Sequence, residues 1–362
     1  MRAVDLLRHD IAALEPYTPI YPLEVLAAQL GRQPDDLIKL DANENPYGPP
    51  PQVRQALAEL RYPHIYPDPE SRTLRAALSE YTGVPSDLLL AGAGSDELLD
   101  LITRAFLQPG DVLLDCPPTF GMYSFDASLC GARVILASRR PDFSLDLPAI
   151  ERVVREYQPK LLCLASPNNP DGSLLADREL AFLLELPLVL VLDEAYIEFA
   201  GRERSRIPWV LRHENLIVLR TFSKWAGLAG LRVGYGAFPA SLIPQFWKIK
   251  QPYNVSVTAS AAAIAALDGF ADANLNIKRL VTERSRLHEL LTTIPYLQPY
   301  PSQANFILCK VVGRDALALK HALDAEGILV RYFNKPGLRE HIRVSVGRPN
   351  DTDTLIAALR RV

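Results

Sequence analysis

Between residues 86 and 220 the chain alternates short runs that are apolar throughout with stretches of helical spacing. The apolar runs are 111–116 (DVLLDC), 132–137 (ARVILA), 160–166 (KLLCLAS), 186–193 (LPLVLVLD) and 215–220 (NLIVLR), preceded by DLLLAGAG, a strand and glycine turn. A strand with one wet face alternates apolar and polar positions, so runs with almost no polar position predict strands covered on both faces. Helical segments separate most of them. The clearest is SDELLDLITRAFLQPG, with apolar residues at 98, 99, 101, 102, 105 and 106. This order predicts an α/β layer fold around a mostly parallel sheet.

The pattern changes near residue 250. A helical stretch over 256–293 is followed by strands at 305–311, 327–333 and 341–346, with helices at 314–326 and 351–361. That half predicts a smaller α+β domain, residues 251–362, beside a large domain of residues 46–250. Residues 1–45 form a segment expected to pack with the small domain. It holds a helical lead-in broken by prolines at 16, 19 and 22, then a helix over 23–31 stopped by glycine. The Asn, Pro and Gly cluster of ANENPYGPPP is a loop, and Pro50 or Pro51 opens the helix after it. A second loop, HIYPDPESR, carries Tyr66, and SRTLRAALSEYTG reads as a helix with a serine cap and a glycine end.

The 362 residues and net charge of −3 describe ordinary globular material without the basic excess of a nucleic-acid binder. The longest apolar stretch, 259–267, is half of what a membrane span needs (~18 residues). The amphipathic, charged start lacks a signal peptide's apolar core. Cysteines 116, 130, 163 and 309 are far apart with no CxxC, and read as buried reduced thiols; a cytoplasmic setting is expected.

In open parallel sheets ligands bind beyond the carboxyl ends of the strands, and the polar residues of interest fall at such ends. Gly94, Ser95 and Asp96 open a helix after a strand, which makes either an anion site or a plain N-cap. There is no GxxxxGK[ST], and the dinucleotide fingerprint fails at its third glycine. Phe120 or Tyr123, in PPTFGMY, can stack on a flat ring or simply pack in the core. In SPNNPDG, Asn169 can donate to a phenolate oxygen while the loop serves as a turn. Asp193 ends a buried strand and needs a partner: a backbone group, an arginine or a pyridinium N–H. Tyr196 stands three residues on. In LIVLRTFSKWAGLAGLRVGYG, Lys224 follows Ser223 among small apolar neighbours, where desolvation makes an amine a Schiff-base former, and Arg232 offers a fork of donors to a phosphate. An amine beside a phosphate anchor points to pyridoxal phosphate; the alternative is a lysine and an arginine on a glycine-rich connection. Arg331 and Arg343 sit in two of the last strands, paired either with internal carboxylates or with an anionic substrate. No residues are singled out as metal ligands.

Together these stretches resemble the histidinol-phosphate aminotransferase family of the fold type I pyridoxal-phosphate enzymes. The likeness runs from about residue 40 to the C-terminus through LDANENPYGPPPQV, YPDPESRTLRAAL, AGAGSDELLDLITRAFLQPGD, CPPTFGMYS, SPNNPDG, VLDEAYIEF, LRTFSKWAGLAGLRVGYG, PSQANFIL, GILVR and IRVSVG. It implies that Lys224 carries the cofactor and moves the proton at the substrate α carbon. Asp193 would pair with the ring nitrogen, Asn169 and Tyr196 with the ring oxygen. Gly94, Ser95, Asp96, Ser223 and Arg232 would hold the phosphate, with Tyr66 reaching it from the partner subunit of a homodimer, and Phe120 would stack on the ring. Arg331 and Arg343 would take the substrate's anionic group, and Tyr17 and Asn43 would close the site. Phe120 stands where the family often has tyrosine, Asp171 where it commonly has threonine, Trp225 where it often has a smaller residue, and the segment around Tyr21 differs as well.

The function implied is transamination between L-histidinol phosphate and 2-oxoglutarate, a step of histidine biosynthesis. Its partners are an amino donor and a keto acid, with no nucleic acid and no membrane. An aromatic or broad-specificity aminotransferase is the alternative, followed by a phosphothreonine decarboxylase of cobalamin synthesis. A catalytically silent regulator on the same fold is the reading from another class, and the complete set of Lys224, Asp193, Asn169, Tyr196 and Arg232 speaks against it.

Overall fold

The structure is a computed structural model that describes residues 1–12, 14 and 21–362. One short strand, β1 (Ile38–Leu40), lies in the N-terminal segment. The strands β2 (Leu89–Gly92), β3 (Val112–Asp115), β4 (Arg133–Leu136), β5 (Leu161–Ala165), β6 (Val189–Asp193), β7 (Leu216–Thr221) and β8 (Gly234–Ala237) form a seven-stranded sheet in the order β2-β8-β7-β6-β5-β3-β4. All neighbours in it pair in parallel except those of β8, which runs antiparallel to both β2 and β7.

The central strands are apolar throughout because each feeds two cores. Leu162 and Leu164 of β5 pack on one face, Leu161 and Cys163 on the other, and Leu216, Val218, Ile217 and Leu219 of β7 divide the same way. Each fully buried leucine or valine contributes about 1.5–3 kcal/mol. The expectation fails for β4. It is the edge strand, and its outer residues Arg133 and Leu136 are exposed.

Four strands, β9 (Leu297–Pro299), β10 (Phe306–Val311), β11 (Ile328–Tyr332) and β12 (His341–Ser345), join β1 in a second sheet of order β1-β11-β12-β10-β9. β1 pairs in parallel with β11, so the loop after it, 41–48, is carried from the small sheet into the cleft between the sheets. The helical stretch at 256–293 is two helices, Val257–Asp268 and Phe270–Thr292, broken at Gly269. A Cβ on Gly269 would lie 2.7 Å from Gln52 Oε1, so the break is also a point of close approach. Ser71 takes the cap position before the helix Arg72–Thr82, but its side chain makes no cap bond. The Arg72 N–H is instead accepted by Asp68 Oδ2 at 2.8 Å. Of the cysteines, 116, 163 and 309 are buried and Cys130 is only half-buried; all four are free. Among the described residues no helix is long and apolar enough to cross a membrane.

Candidate active site

Five strands of the large sheet deliver their following loops to one cleft. Asp193 closes β6, the Lys224 turn follows β7, the helix Ser95–Phe106 follows β2, the loop with Asn169 follows β5 and the loop with Phe120 follows β3. The cleft measures about 630 Å³ with its open mouth, and Ser95, Asp96, Phe120, Asn169, Asp193, Tyr196, Ser223, Lys224 and Arg232 line it. Ala165, Ala195, Thr221 and Ala229 complete the wall; nothing but their small size marks them in the sequence.

Lys224 is half-buried, its Nζ donating to the Ala42 carbonyl at 3.1 Å and lying 5.8 Å from the centroid of the Tyr196 ring. Among the described residues no carboxylate is in close ion-pair contact with the ammonium, although its charge is felt by Asp193. A carbonyl bond of this kind is readily exchanged, which leaves the amine available to a carbonyl compound in the cleft. Trp225, 1% exposed and stacked on Tyr81, backs the turn from the core side, and its carbonyl accepts from Asn45 Nδ2.

Asp193 lies at the floor. Its Oδ2 accepts from Tyr123 Oη at 2.9 Å and its Oδ1 from the Ala195 N–H at 3.0 Å. Burial raises its carboxyl pKa to about 6, and these two hydrogen bonds pull the other way. Tyr123 is therefore beneath the site as a partner of Asp193; of the two aromatic candidates it is Phe120 that lines the cleft. Asn169 Oδ1 accepts from Arg343 at 2.6 Å, so the asparagine amide is turned with its donor end away from the arginine. Arg343 is buried and also donates to the Asp41 carbonyl at 2.7 Å.

At the other end of the cleft the helix Ser95–Phe106 presents its first N–H groups. Gly94 is its N-cap, with φ +83°, and neither Ser95 nor Asp96 caps it. A Cβ on Gly94 would lie 2.5 Å from an Arg232 guanidinium nitrogen, and one on Gly234 would lie 2.5 Å from the Ser95 nitrogen. Both positions must be glycine for the helix end, β8 and the arginine to converge. Arg232 bonds Asp96 at 2.9 Å and reaches Ser223 Oγ at 3.4 Å. Free helix N–H groups, two hydroxyls (Thr221, Ser223) and a guanidinium make an anion cradle, to which the helix dipole adds about 0.3–1 kcal/mol.

The residues fit pyridoxal phosphate on the chemistry of these donors. The cradle suits a phosphate, the buried Asp193 carboxylate an N–H of a ring, the free Asn169 amide and the Tyr196 hydroxyl a ring oxygen, and Lys224 an aldehyde. Among the described residues no group of three or more His, Cys, Asp or Glu is placed to hold a metal ion.

Some residues singled out in the sequence lie elsewhere. Asn43, at φ 57°, is buried and donates to Tyr196 Oη at 3.1 Å, so it orients the tyrosine from behind the cleft wall. Tyr66 is 79% exposed and stacks on Tyr253 at 4.7 Å, outside this chain's own cleft. Arg331 is half-buried, its guanidinium 5.6 Å from the Phe333 ring, which also stands 5.5 Å from that of Arg343. Tyr17 lies outside the described residues. Asp171 is turned into its own loop, accepting from Asn168 Nδ2 and from the Ser173 N–H, and Asn168 in turn holds Thr119 and the Pro118 carbonyl. The negative charge thus braces the loop beside Phe120.

Behind β7, Arg220 forms a buried ion pair with Glu198, and Glu194 lies beside them, its pKa raised by burial to about 7 with Arg220 opposing the rise. Glu194 also accepts from the Arg206 N–H and from Ser205. These charges fasten the turn carrying Asp193 and Tyr196 to the strand leading into Lys224. Sequence reasoning overlooked them, although a charge in the run LIVLR and two glutamates in DEAYIEF were the available signal.

Comparison with known proteins agrees with this geometry. The family described as aminotransferase class I and II matches residues 35–359. The chain is 57% identical over 356 residues to a chloroplastic histidinol-phosphate aminotransferase of Nicotiana plumbaginifolia, covering 98% of this chain and 86% of the relative. It is 53% identical over 365 residues to a histidinol-phosphate aminotransferase of Roseiflexus castenholzii, covering 99% and 98%. Among solved structures, that of histidinol-phosphate aminotransferase from Sinorhizobium meliloti in complex with pyridoxal-5'-phosphate superposes with a TM-score of 0.90 at 31% identity, covering 98% of this chain and 97% of that one.

Proposed function

The chain belongs to the class I and II aminotransferases, and we propose that it transfers the amino group of L-histidinol phosphate to 2-oxoglutarate, giving imidazole-acetol phosphate and L-glutamate in histidine biosynthesis. Identity above 50% across nearly the whole length to enzymes of that name carries the substrate. The chemistry rests on Lys224 standing over a cleft floored by Asp193.

When bound, pyridoxal phosphate supplies the electron sink for the charge released at the donor's α carbon. The chain's residues do the rest. Lys224 Nζ takes the α proton, held close by the Ala42 carbonyl and the Tyr196 face. Asp193 holds the proton of the ring nitrogen, with Tyr123 and Ala195 fixing the carboxylate plane. Asn169 and Tyr196 orient the ring oxygen. Phe120, in the cleft wall, would stack on the ring. Arg343 and Arg331 receive the donor's phosphate and, in the second half-reaction, a carboxylate of the keto acid. Donor and acceptor share one anion site, so they enter in turn.

A half-reaction tests this. The holoenzyme, given L-histidinol phosphate without keto acid, should lose the absorbance of its lysine-bound cofactor rapidly and regain it with 2-oxoglutarate. Histidinol and phenylalanine should act at least tenfold more slowly, as expected when a charged anchor is missing (about 1.5–3 kcal/mol). Phenylalanine matching histidinol phosphate would transfer the reading to aromatic donors. Carbon dioxide release from phosphothreonine would make the enzyme a decarboxylase.

The working unit in this reading is a homodimer. Tyr62, Ile65, Tyr66 and Tyr253 leave an apolar surface beside the loop 63–67, and a second copy covering it would bring Tyr66 toward the partner's phosphate cradle. Sedimentation should give a particle of twice the 40.2 kDa chain. Tyr66→Phe should weaken cofactor retention about tenfold, the scale of one charge-assisted hydrogen bond, without dissociating the dimer. A fully active monomer would rule this arrangement out. The free thiols suit a reducing compartment, and the cytoplasm is the proposed location.

A further inference from the structure

The hairpin β11–β12 carries three cations: Arg331 on β11, Arg343 on β12, whose guanidinium reaches the cleft residue Asn169, and, between them in the connecting loop, Lys335. The two arginines flank the Phe333 ring. Lys335 instead crosses to the large domain. Its Nζ lies 2.9 Å from the position a Cβ on Gly121 would occupy, so the absence of a side chain there is what admits the ammonium. Gly121 directly follows Phe120, a lining residue of the cleft. The ammonium therefore stands beside the loop that carries Phe120.

The Lys335 carbonyl accepts from the Leu338 N–H at 3.1 Å, but its exposed ammonium makes no hydrogen bond or close ion pair among the described residues. The carboxylate whose field it reaches is Asp115, buried and engaged with Ser124. The loop is nevertheless held in place, since Leu338 and Phe333 pack with Phe143 of the large domain. A lysine on an anchored loop, brought against a glycine and given no acceptor, is an arrangement for a ligand that supplies one. A phosphate monoester carries up to two negative charges and three terminal oxygens, so it can take an ammonium in addition to the guanidiniums of Arg343 and Arg331. Lysine serves such a group as a movable point charge.

We propose that Lys335 is a specificity-determining residue that binds the phosphate of the amino donor beside the Phe120 loop and so separates phosphorylated donors from their unphosphorylated analogues. This rests on the reading that the donor's phosphate lies toward Arg343.

The test compares wild-type holoenzyme with Lys335→Gln and Lys335→Arg. Replacement by glutamine should raise KM for L-histidinol phosphate about tenfold, as expected for one partly solvated charge-assisted bond, and leave kcat within about twofold. KM for histidinol should not move, and arginine should restore most of the loss. Calorimetric titration of the holoenzymes with 3-(imidazol-4-yl)propyl phosphate, which lacks the amine, should show the same tenfold weakening without any turnover. If the glutamine variant binds that analogue with wild-type affinity, Lys335 is only a solvated surface charge and the proposal fails, while the parent reading stands. If its melting temperature falls and its affinity does not, Lys335 is a latch between the domains through Asp115, and the proposal fails again. If wild-type enzyme itself does not prefer histidinol phosphate to histidinol, the parent reading fails and this one with it.

Discussion

Lys224→Ala should leave a folded protein that neither turns over nor holds its cofactor covalently. The side chain makes one hydrogen bond, to the Ala42 carbonyl, and the turn around it is fixed independently by Trp225, Asn45 and the Thr221–Ser223 bonds. Circular dichroism and melting temperature of the cofactor-free variant should therefore match the wild type closely. Chemistry should not survive. The amine is both the attachment point and the base at the α carbon, and a general base alone contributes about 10²–10⁴-fold. A loss of at least ~10⁴-fold in kcat is expected. Borohydride treatment followed by mass spectrometry should add the cofactor's mass to wild-type protein and nothing to the variant. Small primary amines, which fit the space vacated by the four-carbon side chain, should return part of the rate. A variant that is still labelled on reduction would move the attachment to another lysine.

Most of the large sheet was legible because its strands are buried on both faces, and that leaves an unmistakable apolar run. β4 misled because an edge strand can carry the same composition as a central one; only the topology decides that nothing covers Leu136. β8 was hidden for the opposite reason. Its residues, GYGA, look like loop, yet Gly234 and Gly236 are there so that the helix end and Phe238 can approach the strand. The break at Gly269 was lost in a run of good helix formers on both sides. In the site, the residues at strand ends were readable because their position alone gave them a common address. Tyr123, Asn43, Glu194 and Glu198 act through another side chain, and local spacing does not reveal which side chain that is. Asn43 illustrates the limit: its partner Tyr196 is 153 positions away. Lys335 was not singled out at all, since a lysine in a Pro-Gly loop looks like any solvated charge until Gly121 is found beside it.

Asp193→Asn should be the most damaging substitution outside Lys224, with kcat reduced about 10²–10³-fold, the range for removing one preorganised charge from a developing one. The replacement is isosteric and retains an acceptor for the Ala195 N–H or the Tyr123 hydroxyl, so the site should keep its shape. What it loses is the negative charge that keeps a proton on a ring nitrogen. The same carboxylate predicts a pH signature in the cofactor-free protein. Burial places its pKa near 6, above the ~3.9 of an unfolded aspartate. Between those values the folded chain retains a proton that the unfolded chain has released, so the contribution is fully present below about pH 4 and is lost as pH rises through 6. Wild-type apoprotein should accordingly lose melting temperature over that window more steeply than Asp193→Asn, which has no proton to release there. Adding pyridoxal phosphate should flatten the wild-type curve, because a ring N–H then satisfies the buried charge, and should do so much less in the variant. Equal kcat in the two proteins would mean that Asp193 does not hold the ring proton; equal pH slopes would mean that its carboxylate is not desolvated.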